Sequence, residues 1–318
     1  MYQEPIFLKP VFQERIWGGD KLKPLFQYDI PSNQTGEAWV ISAHPNGPSE
    51  IVNGPLSGQT LADAWNNHRE LFNKDSNNNE AYPLLVKILD ANDNLSVQVH
   101  PDDTYAREVE KQPYGKTECW YVLQAEPEAE LILGHHAKTK EELTKMMDEG
   151  KWDQLLRRIP VTAGDFVYVP SGTIHAIGKG IVLLETQQSS DITYRVYDYE
   201  RVDNNGNTRE LHLDKAKQVT NIPHQTQVID QKQTQKENLQ MKRLVQEKYF
   251  TVYHWKINGE VTQQLDVDFL QCSIISGTAE IEIDEKTYAL KKGDNFILPH
   301  SISTYRLIGD AEFIVSHT

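Results

Sequence analysis

The sequence predicts a mainly β protein: a first β-barrel, a short helical insertion and a second, smaller C-terminal β-barrel. Three observations lead there. Runs rich in β-branched and aromatic residues are short and broken by Gly, Pro and Asn, as in Val161 to Thr186, where Gly164, Pro170-Ser171-Gly172 and Gly178 to Gly180 punctuate apolar stretches. Leu95 to His100 alternates, with Leu95, Val97 and Val99 on one face and Ser96, Gln98 and His100 on the other, which is the period of a strand. Finally, Ala163-Gly164-Asp165-Phe166 to Pro170 is echoed by Lys292-Gly293-Asp294-Asn295-Phe296 to Pro299: Gly-Asp, a short apolar strand, then Pro.

The helices are expected between these runs. Thr60 can cap LADAWNNHRELF, in which Leu61, Ala64, Trp65, His68 and Phe72 keep helical spacing. Thr139 and Glu142 form a capping-box pattern before Leu143, Met146 and Met147, with Gly150 as a stop. A third helix falls within Leu211 to Val219. The helical segments are thus about 60–72, 139–158 and 211–220. The polar stretch Gln225 to Asn238 reads as a linker or exposed excursion, and Lys242 to His317 as a second β-rich block. The division implied is 1–240 for the first domain and 241–318 for the second. In the second block Pro299 is followed at once by His300, without the Pro-Ser-Gly-x-x-His spacing of Pro170 to His175, so that block is expected to serve structure rather than chemistry.

Composition narrows the class. The chain has 318 residues, 38% hydrophobic and 25% charged, which suits a folded globular protein. No run approaches the roughly 18 apolar residues that cross a bilayer, and MYQEPIFLKPVF lacks the form of a signal peptide. The expected compartment is the cytoplasm, where Cys119 and Cys272 would stay reduced. With 46 acidic against 32 basic residues and a net charge of -14, the surface disfavours nucleic acid and anionic lipid. A phosphate pocket would need a few placed Lys and Arg residues.

Three stretches hold residue types suited to a divalent metal: Gln98-Val99-His100-Pro101, Lys116-Thr117-Glu118 and Pro170 to His175. On a strand, Gln98 and His100 project from one face about 6–7 Å apart, and Glu118 and His175 would come from neighbouring strands. Two imidazoles, a carboxylate and an amide oxygen would suit zinc, and iron or manganese could use the same set. On spacing alone a second account stands beside this one: His100 ends a strand, His175 is a satisfied core histidine, and Gln98 is hydrogen-bonded to a neighbour.

Further motifs decide between them. Ile16-Trp17-Gly18-Gly19, Gly36-Glu37-Ala38-Trp39, Ser42-Ala43-His44-Pro45, Tyr82 to Leu89, Leu95 to Pro101, Gly115 to Glu118, Val169 to Ala176 and Thr193 to Asp198 occur in order over most of the chain. In these the chain resembles the type I mannose-6-phosphate isomerases, in their shorter bacterial branch. The resemblance implies a cupin jelly-roll barrel binding one zinc ion per chain through His100, Glu118 and His175, with Gln98 as a ligand in many members. It implies Arg195 as the catalytic arginine and Lys87 and Lys116 as active-site lysines in contact with substrate. It also implies interconversion of mannose 6-phosphate and fructose 6-phosphate through an enediol intermediate, in a monomer or weak homodimer. Longer relatives carry a larger helical insertion, abbreviated here to Thr139 to Arg158.

The chemistry asks for such residues. A proton must leave carbon while negative charge grows on an oxygen, so a Lewis acid, fixed cations and a base are all required. Arg195 suits substrate oxygens as a planar, permanently charged fork; its alternative is a salt bridge to Asp191 or Asp198. Lys87 and Lys116 could bind phosphate or, with a pKa lowered by desolvation beside a cation, move the proton. Trp17, Trp39 and His44 are expected as core, and Arg157-Arg158 as a solvated pair ending a helix. The rival readings are a cupin dioxygenase, which would have no use for several cations aimed at phosphate, and a sugar-phosphate sensor, which would not need the whole set.

Overall fold

A computed structural model describes residues 2–77, 79–202 and 206–318. The N-terminal strands are β1 (Ile6–Lys9), β2 (Val11–Gly19), β3 (Thr35–Ile41) and the short β4 (Glu50–Ile51). β5 (Leu84–Ala91) and β6 (Val97–Val99) precede the pair β7 (Glu118–Ala125) and β8 (Glu130–His135). Next come β9 (Leu156–Pro160), β10 (Phe166–Val169), β11 (His175–Ile177), β12 (Ile181–Gln188) and β13 (Tyr194–Tyr197). The C-terminal part holds β14 (Lys232–Lys236), β15 (Leu239–Gln246), β16 (Thr251–Gln264), β17 (Leu270–Ile283), β18 (Lys286–Lys291), β19 (Asn295–Leu298) and β20 (Thr304–His317).

The first barrel is a sandwich of two sheets, β10-β7-β12-β5-β3-β2 and β13-β6-β11-β8-β9. Strands β3, β5 and β12 are buried along their whole length, which is why none of them shows a polar and apolar alternation. Trp120, Val122, Leu131, Ile177 and Leu183 from both sheets share one core. The second barrel is built on the order β14-β15-β16-β20-β17-β19. Its first six strands repeat the order β2-β3-β5-β12-β7-β10 of the first barrel, so the Gly-Asp to Pro echo belongs to a duplicated sheet. β1 pairs with β19, which carries the N-terminal strand into the C-terminal sheet. Between the barrels Trp65, Phe72, Tyr82 and Phe269 pack as an aromatic cluster, with ring centroids 5.0 to 6.3 Å apart.

The helices follow their caps. Helix Leu61–Asn67 starts on a complete capping box between Thr60 and Asp63, and a 3-10 turn, Arg69–Phe72, continues it beyond His68. Helix Lys140–Asp148 is capped by Thr139, whose hydroxyl accepts from Glu142 N. Gly150, at φ 64°, turns the chain there, and Trp152–Leu155 adds one more turn. Helix then gives way to strand at Leu156, so Arg157 and Arg158 lie on β9 and do not end a helix; Arg157 donates to Thr226 Oγ1. Helix Leu213–Val219 lies where a third helix is expected. In the polar stretch 225–238 the structure corrects the linker reading: Lys232–Lys236 is an exposed strand paired with β15, because an edge strand can be polar on both faces and still satisfy its backbone. Cys119 and Cys272 are buried free thiols, and no helix among the described residues is long and apolar enough to cross a membrane.

Candidate metal centre and active-site cleft

The register of the five-stranded sheet sets Arg195, Gln98 and His175 side by side: β6 pairs with β13 at Gln98 and Arg195, and with β11 at Gln98 and His175. His100 follows directly on β6, and Glu118 opens β7 on the facing sheet. The side chains of His100, Glu118 and His175 are almost fully buried, and one ligand atom from each lies within 4.8 Å of the others.

The hydrogen bonds orient the set. His100 Nδ1 is 2.7 Å from Ile192 O and His175 Nδ1 2.8 Å from Thr173 O. A carbonyl only accepts, so each Nδ1 carries the proton and each Nε2 turns a lone pair inward. His100 Nε2 is 3.5 Å from Glu118 Oε2, and His175 Nε2 is 3.3 Å from Glu118 Oε1. For bonds of ~2.1 Å in a tetrahedron the donor atoms stand about 3.4 Å apart. Burial, aided by the Lys116 charge, pushes the His175 imidazole down to about 4 and that of His100 well below its ordinary value, so both rings are neutral, as a metal requires. Glu118 Oε1 is buried with no hydrogen-bond donor among the described residues. The two Nε2 lone pairs and the Glu118 carboxyl fit one divalent cation, with the Lys116 ammonium beside them, 3.2 Å from His100 Nε2. Gln98 Nε2 lies 3.4 Å from His175 Nε2, at the edge of this set.

A row of buried charges leads away from it. Lys116 Nζ is 2.6 Å from Glu118 Oε2 and 3.9 Å from Glu185 Oε1. Lys87 Nζ is 3.6 Å from Glu185 Oε1 and 3.8 Å from Glu37 Oε2, and it sits 4.9 Å over the Trp39 ring. Arg15 closes the row, with Nε 3.0 Å from Glu37 Oε1. Burial works against the Lys116 charge, but Glu118 and Glu185 outweigh it and raise its pKa. This corrects the expectation of a lowered pKa for Lys116: its neighbours are anions, not cations. Burial and the charge of Glu118 raise the Glu185 carboxyl, despite both lysines. Burial also acts to raise Glu37, but Lys87 and Arg15 hold it below the carboxylate range.

These residues border a cleft of about 640 Å3, with Lys87, Lys116, Gln98, Glu185 and Arg195 on its walls. Arg195 Nη1 donates to Glu210 O at 2.8 Å, and its Nε is buried without a partner. Among the described residues it forms no ion pair with Asp191 or Asp198; Asp198 is taken by Arg201 and Arg209. Trp17 and Trp39 are buried as core residues and also border the cleft. Sequence reasoning passed over Glu185, Glu37 and Arg209. The first two had a signal, being carboxylates that follow or precede apolar runs on the buried strands β12 and β3, where burial demands a partner.

Fold and site define a cupin enzyme with a candidate mononuclear metal centre beside a cleft bordered by several cations. The family described as phosphomannose isomerase type I, catalytic domain, matches residues 6–134, and the mannose-6-phosphate isomerase cupin domain matches residues 240–318. The chain is 50% identical over 317 residues to a putative mannose-6-phosphate isomerase of Bacillus subtilis, YvyI, covering both chains fully. It is also 50% identical to the mannose-6-phosphate isomerase of Streptococcus mutans, over 99% of this chain and 98% of that one. The crystal structure of a Bacillus subtilis mannose 6-phosphate isomerase superposes with a TM-score of 0.96 at 50% identity, over 99% of this chain and 100% of that chain. The chain belongs to the type I phosphomannose isomerases.

Proposed function

We propose that the protein interconverts mannose 6-phosphate and fructose 6-phosphate, with zinc held by His100, Glu118 and His175 and with Gln98 as a further ligand. One observation supports this above the rest: two neutral imidazoles and the Glu118 carboxyl converge next to Gln98 and Lys116, which line a cleft that Lys87 and Arg195 also border. When bound, the metal supplies Lewis-acid stabilisation of negative charge on the sugar oxygens.

The chain's own residues do the rest. Arg195, with its free Nε, binds substrate oxygens as a fixed cation and steadies the enediolate. Lys87 and Lys116 contact the sugar phosphate and place positive charge beside the buried carboxyls of Glu37, Glu118 and Glu185. Glu185, raised in pKa and bordering the cleft, takes the proton from one carbon and returns it to the next. Lys116, paired to Glu118, fixes the carboxylate that faces the two imidazoles.

A coupled assay of mannose 6-phosphate conversion, with and without chelator, tests the reading, and metal analysis identifies the ion. Full activity in metal-stripped enzyme would overturn it.

A further inference from the structure

The C-terminal barrel holds a cavity of about 400 Å3, and the strand registers place it where the first barrel holds its candidate metal centre. The segments Gly164 to Pro170 and Gly293 to Pro299 align without a gap. Val169 pairs with Glu118 and Leu298 with Leu270, so Leu270 stands at the position of Glu118. His175 pairs with Gln98, and Thr304, five residues beyond Pro299 as His175 is beyond Pro170, pairs with Gln264. Gln264 therefore matches Gln98, and Asp266, two residues on, matches His100. Further along the same strands the Lys87 and Glu185 pair corresponds to Tyr253 and Val315. The metal set His, Glu, His has become Asp, Leu, Thr, which cannot hold a transition metal. The void has nevertheless been kept.

Its lining has changed in a coherent way. Tyr253, Trp255 and Tyr305 supply aromatic walls, and Arg243, Gln263 and Asp266 supply polar groups. Trp255 is 7% exposed, and its indole N–H has no partner among the described residues; Arg243 Nε is likewise buried and unpaired. A buried donor left unmet costs about 1–3 kcal/mol, so two beside one cavity point to a ligand that accepts from them. Charge argues for a neutral one. Arg243 Nη2 and Lys232 Nζ lie 3.5 and 3.6 Å from Asp230, and Asp266 adds a second carboxylate, so the two cations are already balanced.

We infer that this cavity is a metal-free binding site for an uncharged polyhydroxylated ring, a monosaccharide or its glycoside. A hydroxyl both donates and accepts, which answers the unpaired indole and guanidinium donors and the Asp266 carboxylate at once. The apolar ring faces suit Tyr253 and Trp255, and the volume lies in the range of small-molecule sites. A sugar phosphate would bring roughly two negative charges beside Asp230 and Asp266.

The test is calorimetric titration of the full chain with methyl α-mannopyranoside and methyl α-glucopyranoside while fructose 6-phosphate saturates the first cleft. Inorganic phosphate and adenosine serve as competing probes. Glycoside binding is expected to persist under these conditions and to weaken about tenfold in Asp266→Ala, which loses a charged hydrogen-bond acceptor. Asp266 is exposed, so the same variant keeps its melting temperature and its isomerase rate. Trp255→Phe, which keeps the ring and removes the N–H, is expected to weaken the same binding. Absence of glycoside binding, its loss when fructose 6-phosphate is present, equal binding by Asp266→Ala, or preference for phosphate or adenosine would each overturn the assignment. A failure of the isomerase reading shows separately, as wild-type protein without turnover.

Discussion

The two barrels share a sheet order and a strand register, yet they answer the question of how to fill a barrel in opposite ways. In the first, the adjacent strands β3, β5 and β12 bury Glu37, Lys87 and Glu185, which neutralise one another in a row that continues through Lys116 to Glu118. In the second, the corresponding positions hold Met241, Tyr253 and Val315, and Trp255, Phe313 and Ile274 pack around them. Burying the charged row costs desolvation that apolar packing avoids, so the first barrel keeps it for chemistry, while the second lines the corresponding space with aromatic and aliphatic side chains around its cavity. The difference teaches that the backbone of this sheet is indifferent to the choice. What distinguishes the barrel with the metal-ligand set from the one without it is the side chain at some six register positions.

The sharpest way to break the comparison is to truncate matched residues in the two barrels. His175→Ala removes a ligand and is expected to lower kcat/KM by at least ~1000-fold, with loss of bound metal. Thr304→Ala, at the same register position, is expected to leave both unchanged; steady-state assay and metal analysis of the pair check this. Equal losses from both would mean that the duplication does not separate chemistry from structure. Arg195→Ala is expected to keep metal content and fall in turnover by ~100-fold or more.

The reverse asymmetry should appear in stability. Phe313 is fully buried on β20, and Phe313→Ala is expected to cost about 3–5 kcal/mol by denaturant unfolding. Because the cost arises in the second barrel, kcat of the molecules that remain folded should stay near wild type. A fall in kcat at full folded fraction would show that the second barrel shapes the cleft.

How much of this was legible beforehand follows the same division. His100, Glu118, His175 and Arg195 stand in motifs with Gly, Pro and alternating neighbours, and both imidazoles and the carboxylate do meet at one point. The Gly-Asp to Pro echo gave away the duplication, because turn chemistry survives when pocket residues change. Glu37 and Glu185 escaped notice because their shared partner Lys87 lies on β5, between their strands, and only sheet register joins them. The strand Lys232–Lys236 was hidden for a different reason: it is fully exposed, so it has no hydrophobic period to read. The helical segment expected over 139–158 runs too far at its end: from Leu156 to Arg158 pairing with β8 makes the chain a strand.

Acid should separate the barrels next. His175 has a folded-state pKa of about 4, below its ordinary 6.5, so the native state resists the proton that the unfolded chain takes up. Its contribution to stability is therefore present above pH 6.5 and declines as pH falls from there toward 4, by on the order of 3 kcal/mol for the metal-free chain. Among the described residues no buried histidine lies in the second barrel's apolar cluster. Urea unfolding of metal-free protein at pH 7 and pH 4.5 should show this loss, and His175→Gln should reduce it while leaving the part that the likewise depressed His100 and His224 contribute. A pH dependence unchanged in that variant would assign the effect to other groups.

The smallest effect concerns the excursion that the second barrel lacks. Between β3 and β5 the first barrel inserts helix Leu61–Asn67, which delivers Trp65 to the aromatic cluster between the barrels, whereas β15 and β16 are joined by only a few residues. Thr60 begins that helix by accepting from Asp63 N, and Asp63 returns the bond to Thr60 N. Thr60→Ala removes the hydroxyl half of this box and should cost about 1 kcal/mol, read as a drop of a few degrees in Tm. Because the cap stands on the surface and outside the cleft, turnover and metal content should not move. If the drop in Tm came with a fall in kcat, the helix would be positioning the cleft through Trp65 as well as joining the barrels, and the insertion would count among the features that make the first barrel reactive.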